Sequence, residues 1–155
     1  MLATNILSNQ AIKLDDTSSS KKRVLEQAAH LLNPQSSIEQ TEAIFERLLE
    51  RERLGSTGLA GGVALPHARM PGIDSTRGAF IRLASPIDFD SLDDQPTDLI
   101  FALLVPEEAT DEHLKILAEL ARLFHEESVR DQLRQASEIQ QILNLLTKQS
   151  AHHAA

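Results

Sequence analysis

The sequence predicts an α/β fold, a single-domain three-layer sandwich in which a mixed β-sheet is flanked by helices. Two amphipathic helical segments come first, short apolar runs bounded by Gly, Pro and Asp fill the middle, and two more amphipathic segments follow. The 155 residues are 41% hydrophobic, enough for one buried core. The last residues, 149–155, read QSAHHAA and are predicted to form a flexible tail.

Two helices are predicted in the N-terminal third of the chain. The first takes a serine N-cap from residues 18–20 and ends at Asn33 and Pro34. The second ends at Gly55 and begins within the sequence SSIEQ, which contains two possible capping boxes: Ser36 with Glu39, and Ser37 with Gln40. Both segments carry apolar residues at helical spacing: Val24, Leu25, Ala28, Leu31 and Leu32, then Ile44, Phe45, Leu48 and Leu49.

The sheet is predicted from three short runs, VALPH, GAFIRLA and DLIFALLVP. The last run is apolar throughout, which is typical of a strand covered on both faces. Two helices follow, one over about 111–124 and one opened by a capping box of Ser137 with Gln140. The final helix carries an inner apolar stripe: Ile139, Ile142, Leu143 and Leu146.

Composition excludes several classes of function. A formal charge of -8 argues against nucleic acid as a partner. Cysteine is absent, which removes disulfides and thiolate chemistry and is compatible with a cytoplasmic location. The longest apolar run, Leu99 to Val105, is too short to insert into a membrane, and the first residues do not resemble a secretory signal.

The six histidines are the candidate reactive residues, and four of them have ordinary explanations. His30 lies opposite the apolar stripe of its helix, so it is predicted to be solvated. His125 lies near the end of its helix, where it complements the helix dipole. His152 and His153 fall in the predicted tail.

His67 and His113 remain. His113 is predicted in the first turn of a helix with Thr110 or Asp111 as N-cap, pointing inward with Leu117. This end of a helix disfavours a protonated imidazole and favours a bound anion, although a buried histidine bonded to the backbone is the alternative. His67 follows Pro66 at the end of a predicted strand beside glycines, whose bare N–H groups leave room for a ligand.

An inward pair of histidines could serve three kinds of chemistry, of which the sequence supports one. Zinc would require a third protein ligand, and no HExxH pattern supplies one, so no metal is predicted. A serine hydrolase would require a GxSxG motif, which the sequence GSTG does not match. The third possibility is that the neutral imidazole of His67 attacks a phosphoryl group whose oxygens are held by N–H groups, a helix N-terminus and an arginine. This mechanism requires no cofactor.

Five segments in this order resemble the enzyme IIA domain of the phosphoenolpyruvate-dependent phosphotransferase system: RERLGSTG, GVALPHARM, PIDFD, DLIFALLVP and DEHLKILAELARL. The resemblance is closest to the nitrogen-regulatory branch, within the fructose/mannitol type. It covers the chain from about Ile6 to Leu146 and implies one such domain over residues 1–148, with an α/β sandwich and a reversibly phosphorylated histidine.

The resemblance also implies roles for individual residues. His67 takes the place of the phosphorylated histidine, His113 that of the second active-site histidine, and Arg51 that of the active-site arginine. Helical geometry alone leaves Arg51 and Arg53 as equal candidates. A phosphoryl-binding loop is implied at Gly55, Ser56, Thr57 and Gly58. The family more often has Gly and Lys after the active histidine, where this chain has Ala68 and Arg69.

By the same resemblance, the phosphoryl donor is a small HPr-like phosphocarrier protein. Two functions follow from it. The first is a regulator whose phosphorylation state controls target proteins such as transporters or sensor kinases. The alternative is a sugar-specific relay that passes phosphate to a IIB domain of a sugar permease. The absence of a fused membrane or IIB-like segment favours the regulator.

Overall fold

The structure, a computed structural model, describes residues 2–33 and 37–147. It confirms the predicted α/β sandwich with a mixed sheet. The strands are β1 (Ile12–Asp16), β2 (Val63–Ala64), β3 (His67–Met70), β4 (Arg77–Ile87) and β5 (Thr97–Pro106). The helices are α1 (Lys21–Leu32), α2 (Ile38–Leu54), α3 (Thr110–His125), α4 (Glu127–Gln135) and α5 (Ile139–Leu146), and a single 3-10 turn covers Asn9–Ala11.

The sheet is built around β4 and β5, which pair antiparallel. β1 runs parallel to β4 on one side. On the other side, β2 and β3 lie end to end along one edge of β5, and both run parallel to it. Leu99 to Val105 in β5 are fully buried, as expected for a strand covered on both faces.

The helices begin and end close to the predicted residues. Ser20 caps α1 by accepting from the N–H of Arg23, and Ser37 caps α2 by accepting from the N–H of Gln40. Gly55 follows α2 as its C-cap. The alternative cap at Ser36 and the predicted tail at 149–155 lie outside the described residues.

Two predicted caps were wrong. The N-cap of α3 is Ala109, because the N–H of His113 bonds to the Ala109 carbonyl at 3.0 Å. The capping box of α5 is formed by Glu138 and Gln141, one residue later than predicted. There the Gln141 side chain accepts from the N–H groups of both Ser137 and Glu138, so the longer carboxylate of Glu138 takes the N-cap role.

The segment between α2 and β3 depends on glycine. Gly61 and Gly62 have φ values of 83° and 81°, in the left-handed region, and they turn the chain so that the N–H of Leu59 bonds to the Val63 carbonyl at 2.7 Å. A Cβ on Gly62 would lie 2.5 Å from Nη2 of Arg134, so a larger residue would displace that guanidinium and would also be strained by the positive φ. Among the described residues, no helix combines the length and the apolarity that crossing a bilayer requires.

Candidate functional site

His67 is the first residue of β3. The expectation that it ends a strand was wrong, because the predicted run VALPH is two strands separated by Leu65 and Pro66. Proline has no N–H to donate to the ladder, so pairing along β5 stops there and resumes at His67. The Pro66 carbonyl still accepts from the N–H of Leu103 at 2.9 Å, so the chain between β2 and β3 stays bonded to β5.

A hydrogen bond identifies the tautomer of His67. Its Nδ1 lies 2.7 Å from the Leu65 carbonyl oxygen, and a carbonyl only accepts, so Nδ1 carries the proton. In the neutral ring, Nε2 is then the nitrogen with a free lone pair. The half-buried ring is thereby held in one orientation with its nucleophilic atom opposite the backbone bond.

His113 lies beside His67, as the inward-pointing prediction requires. The two ring centroids are 5.2 Å apart with an angle of 71° between the planes, an edge-on arrangement. Nε2 of His113 is buried and has no hydrogen-bond partner among the described residues. An orphaned polar atom at a cleft is a group that a ligand oxygen could satisfy.

The two histidines line the same cleft, which has a volume of about 610 Å³. Three elements contribute its walls: the end of α2, the start of β3 and the start of α3. Its lining includes three guanidinium groups and two carboxylates, although the whole chain carries a formal charge of -8. The charged residues are Arg47, Glu50, Arg51, Arg69 and Glu107. The cleft therefore carries a local excess of positive charge suited to an anion.

The structure separates Arg51 from Arg53. Arg51 lines the cleft, and its Nη1 donates to the Gly55 carbonyl at 2.8 Å. Arg53 is exposed and is not among the residues that line the cleft. Arg69 was noted in the sequence only as a departure from the family, yet it lies in the cleft and its Nη1 donates to Oγ1 of Thr110 at 3.2 Å.

The predicted phosphoryl-binding loop, Gly55 to Gly58, lies next to the cleft but is not part of the described lining. Its polar groups bond within the chain. The Ser56 hydroxyl donates to the Phe89 carbonyl at 2.6 Å, and the Thr57 hydroxyl donates to Glu52 at 2.6 Å. The direct link between loop and cleft is the Gly55 carbonyl that accepts from Arg51.

The surroundings keep both rings neutral. Burial lowers the pKa of His67; the Leu65 hydrogen bond opposes this, Arg51 lowers the pKa further and Glu52 raises it. Burial also lowers the pKa of His113, to about 4, and His67, Arg69 and Arg51 act in the same direction. An unprotonated His67 is the form whose Nε2 lone pair is available at neutral pH.

The depressed pKa of His113 makes the stability of the protein dependent on pH. An unfolded histidine binds its proton near pH 6.5, whereas folded His113 does so near pH 4, so the free energy of unfolding should fall as the pH falls through this window. The His113→Gln variant should have a shallower slope. The difference is at most about 1.4 kcal/mol per pH unit, and less because the ring is only half-buried.

Urea unfolding of both proteins at several pH values between 4 and 7 measures this difference. Carboxylates titrate in both proteins, so the comparison reports on His113 together with its electrostatic interaction with His67. Parallel stability profiles would show that the pKa of His113 is not depressed in the folded state.

His30 and His125 take the places predicted for them. His30 and His125 are exposed, and His125 is the last residue of α3. His152 and His153 lie outside the described residues. Within residues 2–33 and 37–147, no three His, Cys, Asp or Glu side chains are grouped closely enough to hold a metal ion.

Glu52 is a further residue of interest that the sequence did not reveal. It lies in α2 with only 7% of its surface exposed, although its neighbours in sequence are arginines. Its position one residue after Arg51 places it beside the apolar stripe, which is the only signal that the sequence offers.

The chain is similar to known proteins over most of its length. Residues 5–149 match the family described as phosphoenolpyruvate-dependent sugar phosphotransferase system, EIIA 2. The nitrogen regulatory protein of Pseudomonas aeruginosa is 50% identical over 117 residues, which are 76% of this chain and 76% of that protein. The nitrogen regulatory protein of Bradyrhizobium diazoefficiens is 40% identical over 146 residues, 94% of this chain and 95% of that protein.

A solved structure is also similar. The crystal structure of nitrogen regulatory protein IIA-Ntr from Neisseria meningitidis has a TM-score of 0.88 and 46% identity, covering 93% of this chain and 98% of that one. Sequence and fold thus agree over almost the whole chain, and this protein belongs to the EIIA 2 family of the phosphoenolpyruvate-dependent sugar phosphotransferase system.

Proposed function

We propose that this protein accepts a phosphoryl group on Nε2 of His67 from an HPr-like phosphocarrier and acts mainly as a regulator of partner proteins. The observation that carries the proposal is the Nδ1–H hydrogen bond to Leu65, which leaves the Nε2 lone pair free in a cleft with local positive charge. Histidine is effective as a nucleophile only in this neutral form.

The transfer step balances without any further reactant. The Nε2 lone pair attacks phosphorus, and the bond between phosphorus and the donor's histidine nitrogen breaks. The electron pair of that bond returns to the donor nitrogen. The proton on Nδ1 of His67 stays in place, and its bond to the Leu65 carbonyl strengthens as the ring gains positive charge. Positioning and electrostatic stabilisation supply the catalysis.

Three side chains are proposed to stabilise the phosphoryl oxygens. Arg51 brings a guanidinium group from α2 and Arg69 brings one from β3, and His113 brings a ring nitrogen that has no partner within the described residues. The N-terminus of α3 adds the positive end of a helix dipole. The loop at Gly55 contributes through its carbonyl, which holds Arg51, while direct contact of Gly55 to Gly58 with phosphate stays a prediction.

We propose that the phosphoryl donor is a protein rather than a small molecule. Leu54 and Leu114 line the cleft and are 86% and 63% exposed. Exposed apolar side chains bordered by polar residues mark surfaces that bind a partner protein. In the complex these leucines would contact the donor protein and help to exclude water from the two histidines during transfer.

Regulation is favoured over transport because two relatives named nitrogen regulatory proteins are 50% and 40% identical to this chain, whereas two relatives named fructose-specific components are 33% and 32% identical. We propose that the protein acts in the cytoplasm on targets such as transporters or sensor kinases, which it binds or releases when His67 gains negative charge. The family description names a sugar phosphotransferase system, and this supports the second candidate, a relay that passes phosphate to a IIB domain.

Radiolabelled phosphate distinguishes the two functions. The protein, labelled by its carrier, is mixed with extract from its own organism, and unlabelled protein and the His67→Ala variant serve as matched controls. A regulator should retain its label and capture a partner in only one phosphorylation state. Passage of the label to a IIB-type protein would favour the relay, and failure of the parent to become labelled would contradict both functions.

A further inference from the structure

Glu52 has an unusual environment for a carboxylate. It is buried in α2, and its Oε2 accepts from the backbone N–H of Thr57 at 2.8 Å while its Oε1 accepts from the Thr57 hydroxyl at 2.6 Å. Nζ of Lys21, on α1, lies 2.9 Å from Oε2. Each carboxylate oxygen therefore has a strong donor, which is the condition for keeping a charge in the interior.

These contacts tie two helices to the chain segment that precedes β3. Thr57 is itself buried, and its carbonyl accepts from the N–H of Leu65 at 3.0 Å. The same Leu65 supplies the carbonyl that accepts from Nδ1 of His67 at 2.7 Å. An unbroken path of hydrogen bonds therefore runs from Glu52 through the backbone of Thr57 and Leu65 to the imidazole.

The Leu65 carbonyl is positioned from both sides, by the bond of the Leu65 N–H to the Thr57 carbonyl at 3.0 Å and by the bond of the Pro66 carbonyl to the N–H of Leu103 at 2.9 Å. Pro66, which follows, has no N–H, so the ladder with β5 is interrupted at this position. The N-terminal side of Leu65 is therefore held by its N–H bond to Thr57, and Thr57 is in turn held by Glu52. A shift of this carbonyl would break its hydrogen bond with Nδ1–H of His67. The ring could then adopt the other tautomer, in which Nε2 carries the proton and has no free lone pair.

We infer that Glu52 is a positioning residue for His67: paired with Lys21, its buried carboxylate holds Thr57 and thereby the Leu65 carbonyl that fixes the tautomer and orientation of the His67 ring. The inference rests on the proposed function in one respect, since the consequence for phosphoryl transfer requires His67 to be the acceptor. The effect on the ring itself does not depend on that function.

The test uses substitutions that separate the tether from the charge. Glu52→Met is close in shape but accepts no hydrogen bond, so it releases Thr57. Glu52→Gln keeps the tether, because its amide oxygen accepts from the Thr57 N–H and its amide nitrogen donates to the Thr57 hydroxyl, which turns to accept. Glu46→Met, on an exposed position of the same helix, is the matched control.

The first readout is the nitrogen NMR chemical shifts of the His67 ring, measured on the unphosphorylated protein without a carrier. The parent, Glu52→Gln and Glu46→Met should show a protonated Nδ1 and an unprotonated Nε2. Glu52→Met should show the averaged shifts of mixed tautomers. Its single-turnover rate of phosphate uptake should fall about 10-fold, the lower range for loss of a group that orients a histidine ligand, and Glu52→Gln should recover most of that loss.

Parent-like His67 shifts in folded Glu52→Met would overturn the inference. If that variant does not fold, Thr57→Val and Thr57→Ser decide the question, since only valine removes the hydroxyl that bonds Glu52. Thr57→Val keeps the backbone N–H bond to Glu52 and loses the hydroxyl bond, so it must move the shifts part of the way toward mixed tautomers while Thr57→Ser keeps them. Unchanged shifts in Thr57→Val would contradict the inference. Phosphate uptake by His67→Ala would disprove the proposed acceptor and leave the ring measurement valid.

Discussion

His67→Ala should take up no phosphate from the carrier, because the substitution removes the only atom that we propose as acceptor. The protein should stay folded. The side chain is half-buried at the start of a short strand, and its loss leaves one backbone carbonyl without a donor, a cost of about 1–3 kcal/mol. The measurement is the amount of acid-labile phosphate bound after incubation with the phosphorylated carrier.

His30→Ala is the control for the loss of a histidine. His30 is exposed on α1 and is not among the residues that line the cleft, so its replacement should leave phosphate uptake at the parent level. Acid-labile phosphate on His67→Ala, at the same stoichiometry as on the parent, would mean that another histidine is the acceptor. His113 would then be the next candidate, since it shares the cleft.

The strongly apolar elements of the fold were predictable from the sequence, and the weakly apolar ones were not. β5 was evident because Leu99 to Val105 is an uninterrupted apolar run. β1 was missed because IKLDD contains only two apolar residues, and its pairing with β4 is a tertiary effect. α4 was missed for a similar reason, since ESVRDQLRQ offers only Val129 and Leu133 to a core.

The candidate site shows the same limit. The sequence indicated His67 and His113, and helix periodicity was enough to predict that His113 points inward. In the structure its ring contacts that of His67. Periodicity did not distinguish Arg51 from Arg53, since both flank the apolar stripe near the end of α2. It placed Glu52 beside the apolar stripe but gave no reason to expect a stable buried carboxylate there, because the Lys21 and Thr57 groups that pair with it come from other segments.

Arg51→Lys should slow phosphate uptake by an amount that corresponds to about 2–4 kcal/mol of transition-state stabilisation, by analogy with the loss of one oxyanion donor. The guanidinium of Arg51 donates to the Gly55 carbonyl through Nη1 and has further N–H groups in the same plane to offer to phosphoryl oxygens in the cleft. A lysine ammonium retains the charge but lacks that planar set of donors. The measurement is the single-turnover rate from the phosphorylated carrier at matched folded fraction.

Arg53→Lys is the matched control, since it makes the same substitution two residues later on an exposed position outside the cleft lining. An exposed charge at a helix end contributes within about 1 kcal/mol to stability and nothing to the transfer step, so this variant should match the parent rate. Electrostatic attraction of the carrier would be reduced little in either variant, because both keep the formal charge. Equal rates for Arg51→Lys and the parent would therefore exclude Arg51 from phosphoryl stabilisation, while equal slowing of both variants would assign the effect to the end of α2 as a whole rather than to one guanidinium.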